Sequence, residues 1–383
     1  MIEQIKVMFI IYDLERGGPE MRLLELAEHL PSDFRFFICV TSNKLSLLYR
    51  FKLENVEVFV IPVTKAYLEP LKILKIIGIV RRNRITIINT FDLKGLFIAN
   101  GIKLFSGVRV TLVHHVVDML QRYKSRQVSF LRLLLKGVDR GLSNSRAAVK
   151  MLGDGFFPQD KIKLIYNGVD VARFCKGNPV VESLRNTLGI ATDAFVLGTV
   201  ANFRIEKEYP FLLKAFKKLS LKYSHLRLIC VGGGPLLEGM EKLAAELDVA
   251  GKIIFTGYVE NVPDYIGLMD IFVLCGSNEG FPNVLIQAMS MEVPIVVTNV
   301  GACPDIIDDG NDGFLFTPCD IEVFSSKVIN LIEQRELAET FAHKAKEKVN
   351  EQFTLEKMVQ EYMDYFRSIE RANGINKQQD LRD

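Results

Sequence analysis

Short apolar runs rich in β-branched residues alternate with helical patterns along most of this chain, and they do so in two separate series. Alternation of this kind predicts a parallel sheet with helices on both faces. The runs of the first series lie at 5–12, 35–41, 56–61, 85–89, 108–113 and 138–143, with helical patterns at 19–30, 66–82, 93–105 and 127–137. The runs of the second series lie at 195–200, 227–231, 252–256, 270–275, 294–298 and 313–316. The chain is therefore predicted to be an α/β protein with two doubly wound, Rossmann-like domains.

A polar stretch separates the two series and predicts where the first domain ends. Residues 166–190 contain an Asn-Gly-Val-Asp turn and a polar linker around 176–179. We place the first domain at 1–176 and the second at 190–350, followed by a last helix at 354–373 and a polar, frayed tail. A length of 383 residues is enough for two to three domains.

Composition and cysteine use argue against a secreted or membrane-spanning protein. The apolar run near Met1 is short and leads into a glycine turn, which is typical of a first strand and not of a signal peptide. No stretch approaches the roughly 18–20 apolar residues of a membrane span. The six cysteines are scattered without a Cys-x-x-Cys pair, which favours reduced thiols and indicates no zinc site. We therefore expect a cytoplasmic protein.

The net charge of +2 is the sum of a basic first half and an acidic second half of the chain. Residues 1–176 carry 28 Lys and Arg against 16 Asp and Glu, whereas the rest of the chain carries 20 against 30. Basic residues concentrate at 71–91, without an acid, and at 121–150, around the apolar run 130–135. Apolar and basic faces on one helix are typical of interfacial helices, so we expect an anionic membrane surface, at the inner face of the cell membrane, as a partner.

Two alternatives to a membrane surface bear on this basic half. A solvated basic helix packed on a core would give the same pattern. Nucleic acid is not expected as a partner, because the chain lacks the aromatic-rich basic motifs of the common binding modules.

The segment 277–297 places a carboxylate beside a helix N-terminus. An apolar run at 271–275 leads into a polar turn that carries Glu279, and Pro282 then opens a helix as a first-turn proline. Open α/β sheets bind ligands at the carboxyl ends of their strands, and helix N-termini favour phosphate groups. Glu279 and Gln287 are separated by a little over two helical turns, so both can face one long ligand.

This segment resembles the E-x7-E signature of retaining glycosyltransferases of the GT-B fold, most closely glycosyltransferase family 4. Gln287 stands where the family has its second glutamate. The resemblance implies two Rossmann-like domains facing across a cleft, with the last helix completing the N-terminal domain. It also implies transfer of a sugar, with retention and without a metal ion or other cofactor, from a nucleotide-sugar such as a UDP-sugar to a glycan or lipid-linked acceptor. The expected process is cell-surface polysaccharide biosynthesis, of lipopolysaccharide or exopolysaccharide.

The start of the second series resembles the family's diphosphate-binding segment. Family members have an arginine and a lysine there, and Lys207 matches the lysine. Asn202 occupies the usual arginine position, so we expect Arg204 to supply the second positive charge that a diphosphate needs in a metal-free site. The resemblance further implies that Glu279 binds sugar hydroxyls and that Gln287 faces the ribose.

Two adjacent histidines, His114 and His115, follow the predicted strand 108–113. The family has a histidine after this strand that donates a hydrogen bond to the transferred sugar, and the register favours His115 while leaving His114 open. Adjacent strand residues point to opposite faces, so a metal pair is not expected. After the first strand, Gly17 and Gly18 let the backbone approach a ligand, although a plain tight turn would show the same pattern.

Other positions match family segments that contact the donor. A glycine-rich turn follows 227–231, a loop that cups the base follows 252–256, and the helix after Glu279 contributes its first turns. The substrate-binding residues that the resemblance implies are Gly17, Gly18, Asn202, Gly233, Gly234, Tyr258, Val259, Gly280, Phe281, Asn283, Val284 and Gln287.

Two other functions fit a pair of Rossmann-like domains. A dehydrogenase should carry Gly-x-Gly-x-x-Gly with an acidic residue about 20 positions later, and this chain does not. A catalytically weak or silent GT-B scaffold that partners another transferase remains an alternative, because Asn202, Gln287 and Glu292 replace residues usual in the family.

Overall fold

The structure is a computed structural model that describes residues 4–15, 17–64, 69–116, 125–153, 155–175 and 180–380. The chain divides into two compact units. Unit 1 comprises Met1–Asn167 together with Glu356–Asp383, and unit 2 comprises Gly168–Leu355. The division falls inside the polar stretch 166–190, and the proposed linker residues 176–179 lie outside the described ranges.

Unit 1 is built on a seven-stranded sheet in which every strand pair is parallel. Its strands are β1 (Ile5–Ile11), β2 (Phe34–Val40), β3 (Val56–Val60), β4 (Ile87–Thr90), β5 (Thr111–Val116), β6 (Arg140–Ser143) and β7 (Ile162–Leu164). Their order in the sheet is β3-β2-β1-β4-β5-β6-β7. The edge strand β7 was not predicted, because it is short and carries the exposed Lys163 between two half-buried residues.

Unit 2 contains a second parallel sheet, of six strands. Its strands are β8 (Phe195–Val200), β9 (Leu226–Val231), β10 (Ile253–Gly257), β11 (Ile271–Leu274), β12 (Ile295–Thr298) and β13 (Phe314–Phe316). Their order is β10-β9-β8-β11-β12-β13. These strands coincide with the predicted second series to within a residue or two at their ends.

Helices connect the strands of both sheets. Those that precede β8 in the chain are α1 (Gly18–Glu28), α2 (Pro70–Asn83), α3 (Leu93–Phe105), α4 (Ser125–Leu135), α5 (Arg146–Gly153) and α6 (Val180–Thr187). Those that follow β8 are α7 (Tyr209–Lys222), α8 (Leu237–Glu246), α9 (Val262–Ile266), α10 (Asn283–Ser290), α11 (Cys303–Ile306), α12 (Ile321–Glu333), α13 (Arg335–Gln352) and α14 (Leu355–Asp380). Among the helices of the described residues, none is both long and apolar enough to cross a membrane.

The helices of unit 1 cover opposite faces of its sheet. Helices α2, α3 and α4 bury Ile76, Leu96 and Leu131 in one core cluster with the strand residues of that face. On the other face, Phe9 of β1 contacts Phe366 of α14, with ring centroids 6.1 Å apart. Both faces are therefore packed, as an all-parallel sheet requires.

Each sheet has one point at which the strand order reverses. In unit 1, β1 lies between β2 and β4, and in unit 2, β8 lies between β9 and β11. Loops that leave the carboxyl ends of these strands flank a crevice where open α/β sheets bind ligands. The prediction of two doubly wound, Rossmann-like units is confirmed.

Three predicted boundaries were wrong in ways that bear on the site. Strand β5 includes His114 and His115, because its pairing with β6 continues through His115 opposite Leu142. Pro282 is the N-cap of α10 and lies one residue before the first helical position. The last helix does not fray at 373 and continues to Asp380.

Candidate active site

The loop between β8 and α7 carries the two predicted diphosphate-binding cations. Arg204 caps a short 3-10 helix, Ile205–Lys207, and its side chain is exposed. Within the described ranges no side chain pairs with Arg204. Asn202, at the family's usual arginine position, is half-buried in the same loop. Both cations thus follow β8 at the point where the strand order reverses.

Lys207 forms an ion pair with Glu279 that the sequence analysis did not anticipate. The Lys207 Nζ lies 2.7 Å from Oε1 and 2.8 Å from Oε2 of the carboxylate. The Glu279 side chain is 5% exposed and the Lys207 side chain 22%, so solvent screens the pair only weakly. The two residues are 72 positions apart, and no local pattern could have predicted their contact.

Close backbone packing fixes the loop that carries Glu279. Gly301 has a φ of +55°, and a Cβ there would lie 1.5 Å from the carbonyl oxygen of Glu279. A Cβ on Gly276 would lie 2.5 Å from Oε1 of the same residue. The N–H of Ala302 donates to the carbonyl of Gly280 at 3.1 Å. The carboxylate is therefore held in place before any ligand arrives.

Helix α10 presents one partly exposed stripe at the end of this loop. Asn283, Val284 and Gln287 are half-buried, whereas the opposite side of the helix is buried in the core. Residues three and four apart on a helix are neighbours, so these three share a face. Gly280 and Phe281, in the preceding turn, are also half-buried. The structure brings this predicted group together.

The glycine turn after β9 packs against the loop after β8. Gly234 has a φ of +150°, and a Cβ there would lie 2.7 Å from the carbonyl oxygen of Phe203. The N–H of Phe203 donates to the carbonyl of Gly233 at 2.9 Å. A Cβ on Gly233 would lie 2.5 Å from the ring of Tyr258, which is 75% exposed, and the next residue, Val259, is half-buried. The predicted base-side residues thus adjoin the loop that is predicted to bind diphosphate.

In unit 1 both predicted histidines are buried and point to opposite faces of the sheet. His114 Nδ1 lies 2.9 Å from Thr90 Oγ1, whereas His115 contacts Arg22 and Tyr362. Burial lowers the pKa of His114 to about 4. Burial, followed by the charge of Arg22, holds the pKa of His115 well below its usual value. Both imidazoles are therefore neutral at physiological pH.

An acidic group that the sequence analysis missed lies at the carboxyl edge of the first sheet. Gly17 is the N-cap of α1, which begins at Gly18 and carries Glu20 in its first turn. Burial raises the pKa of Glu20 to about 7, and the nearby charges of Asp13 and Asp92 act in the same direction. Burial also raises the pKa of Asp92. The sequence did contain a signal for this acidic group. Asp13 follows β1 and Asp92 follows β4, and these two strands are neighbours in the sheet.

The predicted site residues fall into two groups. Arg204, Lys207, Glu279 and the α10 stripe belong to unit 2, whereas the histidines and the first glycine pair belong to unit 1. Within the described part of the chain, no group of three or more His, Cys, Asp or Glu side chains could hold a metal ion. Metal independence and the lack of a cofactor stay predictions.

Two family models match this chain side by side. Glycosyltransferase Family 4 matches residues 16–173, and Glycosyl transferases group 1 matches residues 180–348. The two matches correspond closely to the part of unit 1 that precedes Gly168 and to unit 2.

Curated relatives match part of the chain. It is 30% identical over 205 residues to the N-acetyl-alpha-D-glucosaminyl L-malate synthase of Bacillus anthracis, a match covering 54% of this chain and 53% of that protein. It is 27% identical over 192 residues to the capsular polysaccharide biosynthesis glycosyltransferase CapM of Staphylococcus aureus, covering 49% of each. The chain thus spans about half the length of these relatives.

Solved structures match nearly the whole chain. Anabaena HepE, in complex with UDP and glucose, superposes with a TM-score of 0.83 at 21% identity, covering 95% of this chain and 100% of that one. WaaG, a glycosyltransferase involved in lipopolysaccharide biosynthesis, superposes with a TM-score of 0.72 at 17% identity, covering 94% and 99%. Structural similarity at 21% and 17% sequence identity establishes the fold alone, and the fold of these proteins is GT-B. The two adjacent family matches place this chain among the glycosyltransferases of family 4 type, and its fold is GT-B.

Proposed function

We propose that this protein is a retaining glycosyltransferase that moves a sugar from a nucleotide-sugar donor to a glycan or lipid-linked acceptor in polysaccharide biosynthesis. The observation that carries the proposal is the Lys207–Glu279 ion pair, with the exposed Arg204 as the N-cap of the 3-10 helix that contains Lys207. A sugar diphosphate presents hydroxyls and negative charge together, and a carboxylate beside two cations complements both. Family membership supports the same class of reaction.

Arg204 and Lys207 stabilise the departing diphosphate. As the bond from the anomeric carbon to the diphosphate oxygen breaks, negative charge collects on that oxygen, and prearranged cations lower the barrier. An ammonium has three N–H donors, so Lys207 can serve the phosphate while it keeps its contact with Glu279. The Glu279 carboxylate then accepts hydrogen bonds from sugar hydroxyls. Two cations suffice for this role, and we propose a metal-independent reaction without a cofactor.

Retention at the anomeric carbon is proposed from the resemblance of segment 279–287 to the family signature. Gln287 lies on the partly exposed stripe of α10, and its amide oxygen can accept one hydrogen bond from the ribose of the proposed donor. A carboxylate there would bind more strongly, by about 1 kcal/mol, because a charge-assisted hydrogen bond is stronger than a neutral one. The substitution is thus expected to weaken donor binding and to leave the reacting bond unaffected.

A UDP-sugar is the donor that we propose. The structurally similar HepE was solved with UDP and glucose and with UDP-glucose. In this chain the exposed ring of Tyr258, beside the glycine turn after β9, offers a surface on which a base can stack.

We also propose an anionic membrane surface as a partner, which would bring a lipid-linked acceptor to the enzyme. Helices α2, α3 and α4 lie on one face of the first sheet and contain eight Lys and Arg but no Asp or Glu. Several large apolar side chains on these helices are nevertheless exposed. These exposed apolar side chains are Leu71, Leu74, Leu104, Phe105, Phe130 and Leu133. Together with the exposed cations Lys75, Arg82 and Arg126, they form a surface that we call the apolar-basic face.

A shallow groove supports the same partner. It lies between α3 and α4, has a volume of about 580 Å³ and is lined by Phe97, Leu104, Phe105 and Leu134 among others. Cations around exposed apolar side chains suit anionic lipid, which offers phosphate charge above an acyl layer. Arg122 and Lys124, which contribute to the predicted basic stretch 121–150, lie outside the described residues.

The function is tested by a donor screen. The purified protein is incubated with UDP-glucose, UDP-galactose, UDP-N-acetylglucosamine and GDP-mannose, and released nucleoside diphosphate is measured against heat-denatured protein. We expect release from at least one UDP-sugar. Binding of UDP-sugars without any release, with or without membrane extracts as acceptor, would instead support the silent scaffold.

A further inference from the structure

Arg22 of α1 is a guanidinium buried without an ion pair. It is 1% exposed, and no carboxylate of the described residues forms a salt bridge with it. Its Nη1 donates to Nε2 of His115 at 3.1 Å and to Oδ1 of Asn167 at 2.9 Å. Its Cζ lies 5.9 Å from the ring centroid of Phe91. Because a buried charge is costly without partners, these neutral contacts determine where the guanidinium can lie.

Arg22 fixes the protonation of His115. A guanidinium only donates hydrogen bonds, so Nε2 of His115 accepts and the ring proton is on Nδ1. That Nδ1 faces the hydroxyl of Tyr362, 3.4 Å away. The ring of Phe91 stacks on the imidazole with centroids 5.4 Å apart. Both ring nitrogens of His115 are therefore engaged by side chains of the protein.

The groups packed around His115 favour its neutral form. The ionisable groups that face it are Arg22 from α1, Tyr362 from α14 and His114 from its own strand. Its register partner on β6 is the apolar Leu142. Adding a proton would place two positive charges side by side in a buried site, which is unfavourable.

His114 is held in a different way. Its Nδ1 lies 2.9 Å from the hydroxyl oxygen of Thr90, and no group of the described residues bonds to its Nε2. It is 6% exposed, against 1% for His115. One ring nitrogen is thus used for positioning and the other is available, which is the usual arrangement of a functional histidine.

We propose that Arg22 fixes His115 as a structural imidazole and that His114, oriented by Thr90, is the histidine that contacts the substrate. This assignment rests on the proposed glycosyltransferase function, and it reverses the preference of the sequence register for His115. Arg22 and Thr90 are positioning residues, each acting through one histidine.

The role of Arg22 can be measured without any activity. In protein labelled with ¹⁵N-histidine, the His115 signals, assigned by their loss in His115→Asn, should show a protonated Nδ1 and no titration between about pH 5 and 8. In Arg22→Met the pKa of His115 should rise by at least about one unit, because a neighbouring positive charge is removed. A protonated Nε2 in the wild type, or an unshifted pKa in Arg22→Met, would overturn this part.

Kinetics of histidine variants test the assignment of roles. His114→Ala should lower kcat/KM at least about tenfold in protein that circular dichroism shows to be folded, because a hydrogen bond to substrate is lost. His115→Gln, whose amide oxygen reaches the position of Nε2, keeps an acceptor for Arg22 and should remain within about threefold of wild type. A stable but inactive His115→Gln together with a fully active His114→Ala would overturn the assignment.

Thr90 variants provide a conservative rescue. Thr90→Val removes the hydroxyl at nearly constant shape and should lower kcat/KM in parallel with His114→Ala, whereas Thr90→Ser should restore most of it. Equal activity of Thr90→Val and wild type would contradict the positioning role. If the wild type releases no nucleotide from any donor, the proposed function fails, whereas the NMR titration still decides the role of Arg22.

Discussion

In the Lys207–Glu279 pair, each charge is stabilised by the other in a largely buried site. Removing one partner of a buried pair typically costs about 3–5 kcal/mol, because the remaining charge stays buried and unpaired. A loss of activity in a Lys207 or Glu279 variant would therefore mix catalysis with folding. Arg204 is exposed, and no described side chain pairs with it, so we expect its removal to leave the fold intact and to test the proposed ligand contact separately.

Gln287 gives a gain-of-affinity prediction at the same scale. Gln287→Glu should tighten UDP binding by about fivefold, since a carboxylate accepts a ribose hydrogen bond more strongly than an amide does, by about 1 kcal/mol. The turnover number should change little. Calorimetric titration of both proteins with UDP measures the difference, and an unchanged dissociation constant would show that this position does not face the nucleotide.

Glu20 predicts a pH dependence of stability. Burial raises its pKa from 4.5 to about 7, so its contribution to stability is complete below about pH 4.5 and is lost as the pH rises through about 7. Glu20→Gln, which is always neutral, should match wild type in free energy of unfolding near pH 4.5 and exceed it at pH 8. Urea unfolding at both pH values measures this.

A matched control for Glu20 is Glu54→Gln, because Glu54 is also in unit 1 but is exposed. This variant controls for the loss of one carboxylate from the surface of the same unit. A Glu20→Gln difference that does not grow between pH 4.5 and 8 would contradict the raised pKa.

Individual site residues differ in how well the sequence could predict them. Gly234 lies in a tight turn and the α10 stripe on one helix face, and local backbone chemistry is enough to predict such turns and faces. The Lys207–Glu279 pair and the Arg22–His115 contact join residues that are 72 and 93 positions apart, and both depend on tertiary packing. Local pattern therefore identifies candidate residues but not their partners.

Several helices end in a left-handed residue that is not glycine. Asp248 after α8 has a φ of +56° and Glu292 after α10 a φ of +51°. At α8, the N–H of Val249 donates to Ala244 and that of Asp248 to Ala245, the pattern of a Schellman motif. Such positions favour glycine, and the family's usual glycine at 292 agrees with this geometry.

Asp248→Gly should stabilise unit 2. Asp248 is exposed, and glycine would relieve a left-handed strain of about 1 kcal/mol. The urea midpoint of the protein should rise accordingly. Asp248→Ala keeps the strained backbone and serves as the control; a glycine variant no more stable than the alanine variant would show that this helix end is unstrained.

Most elements follow from the apolar pattern, and the exceptions have physical causes. Strand β5 was placed too early because β-branched residues start at 108, whereas its pairing with β4 begins at Thr111 opposite Ile87. The ends of a strand are set by its neighbour in the sheet, which the sequence of that strand does not contain. The order of strands, and hence the position of each crevice, likewise becomes visible only in the sheet.

The charge division of the whole chain predicts reversible attachment to membranes. The protein should sediment with vesicles that contain phosphatidylglycerol and be released by high salt, because each cation near such a surface contributes about 1 kcal/mol and salt screens it. Reversing Lys75, Arg82 and Arg126 to Glu should abolish sedimentation while sparing release of UDP from the soluble donor.

A matched triple variant controls for net charge. Lys214, Lys242 and Arg335 are exposed cations of unit 2, and their reversal to Glu changes the net charge equally. This variant should still bind anionic vesicles. Equal loss in both triple variants, or equal binding of wild type to neutral and anionic vesicles, would contradict the apolar-basic face as the docking surface.

The most direct measurement of the donor site is the turnover of Arg204→Ala with the preferred UDP-sugar. Loss of one group that stabilises the leaving diphosphate should lower kcat at least about 10²-fold. The melting temperature should stay unchanged, because no described side chain depends on Arg204. Arg335→Ala, which removes a highly exposed arginine of the same unit, should retain wild-type turnover. If Arg204→Ala turned over its donor at the wild-type rate, the diphosphate would not bind at this loop, and the proposed site would be wrong.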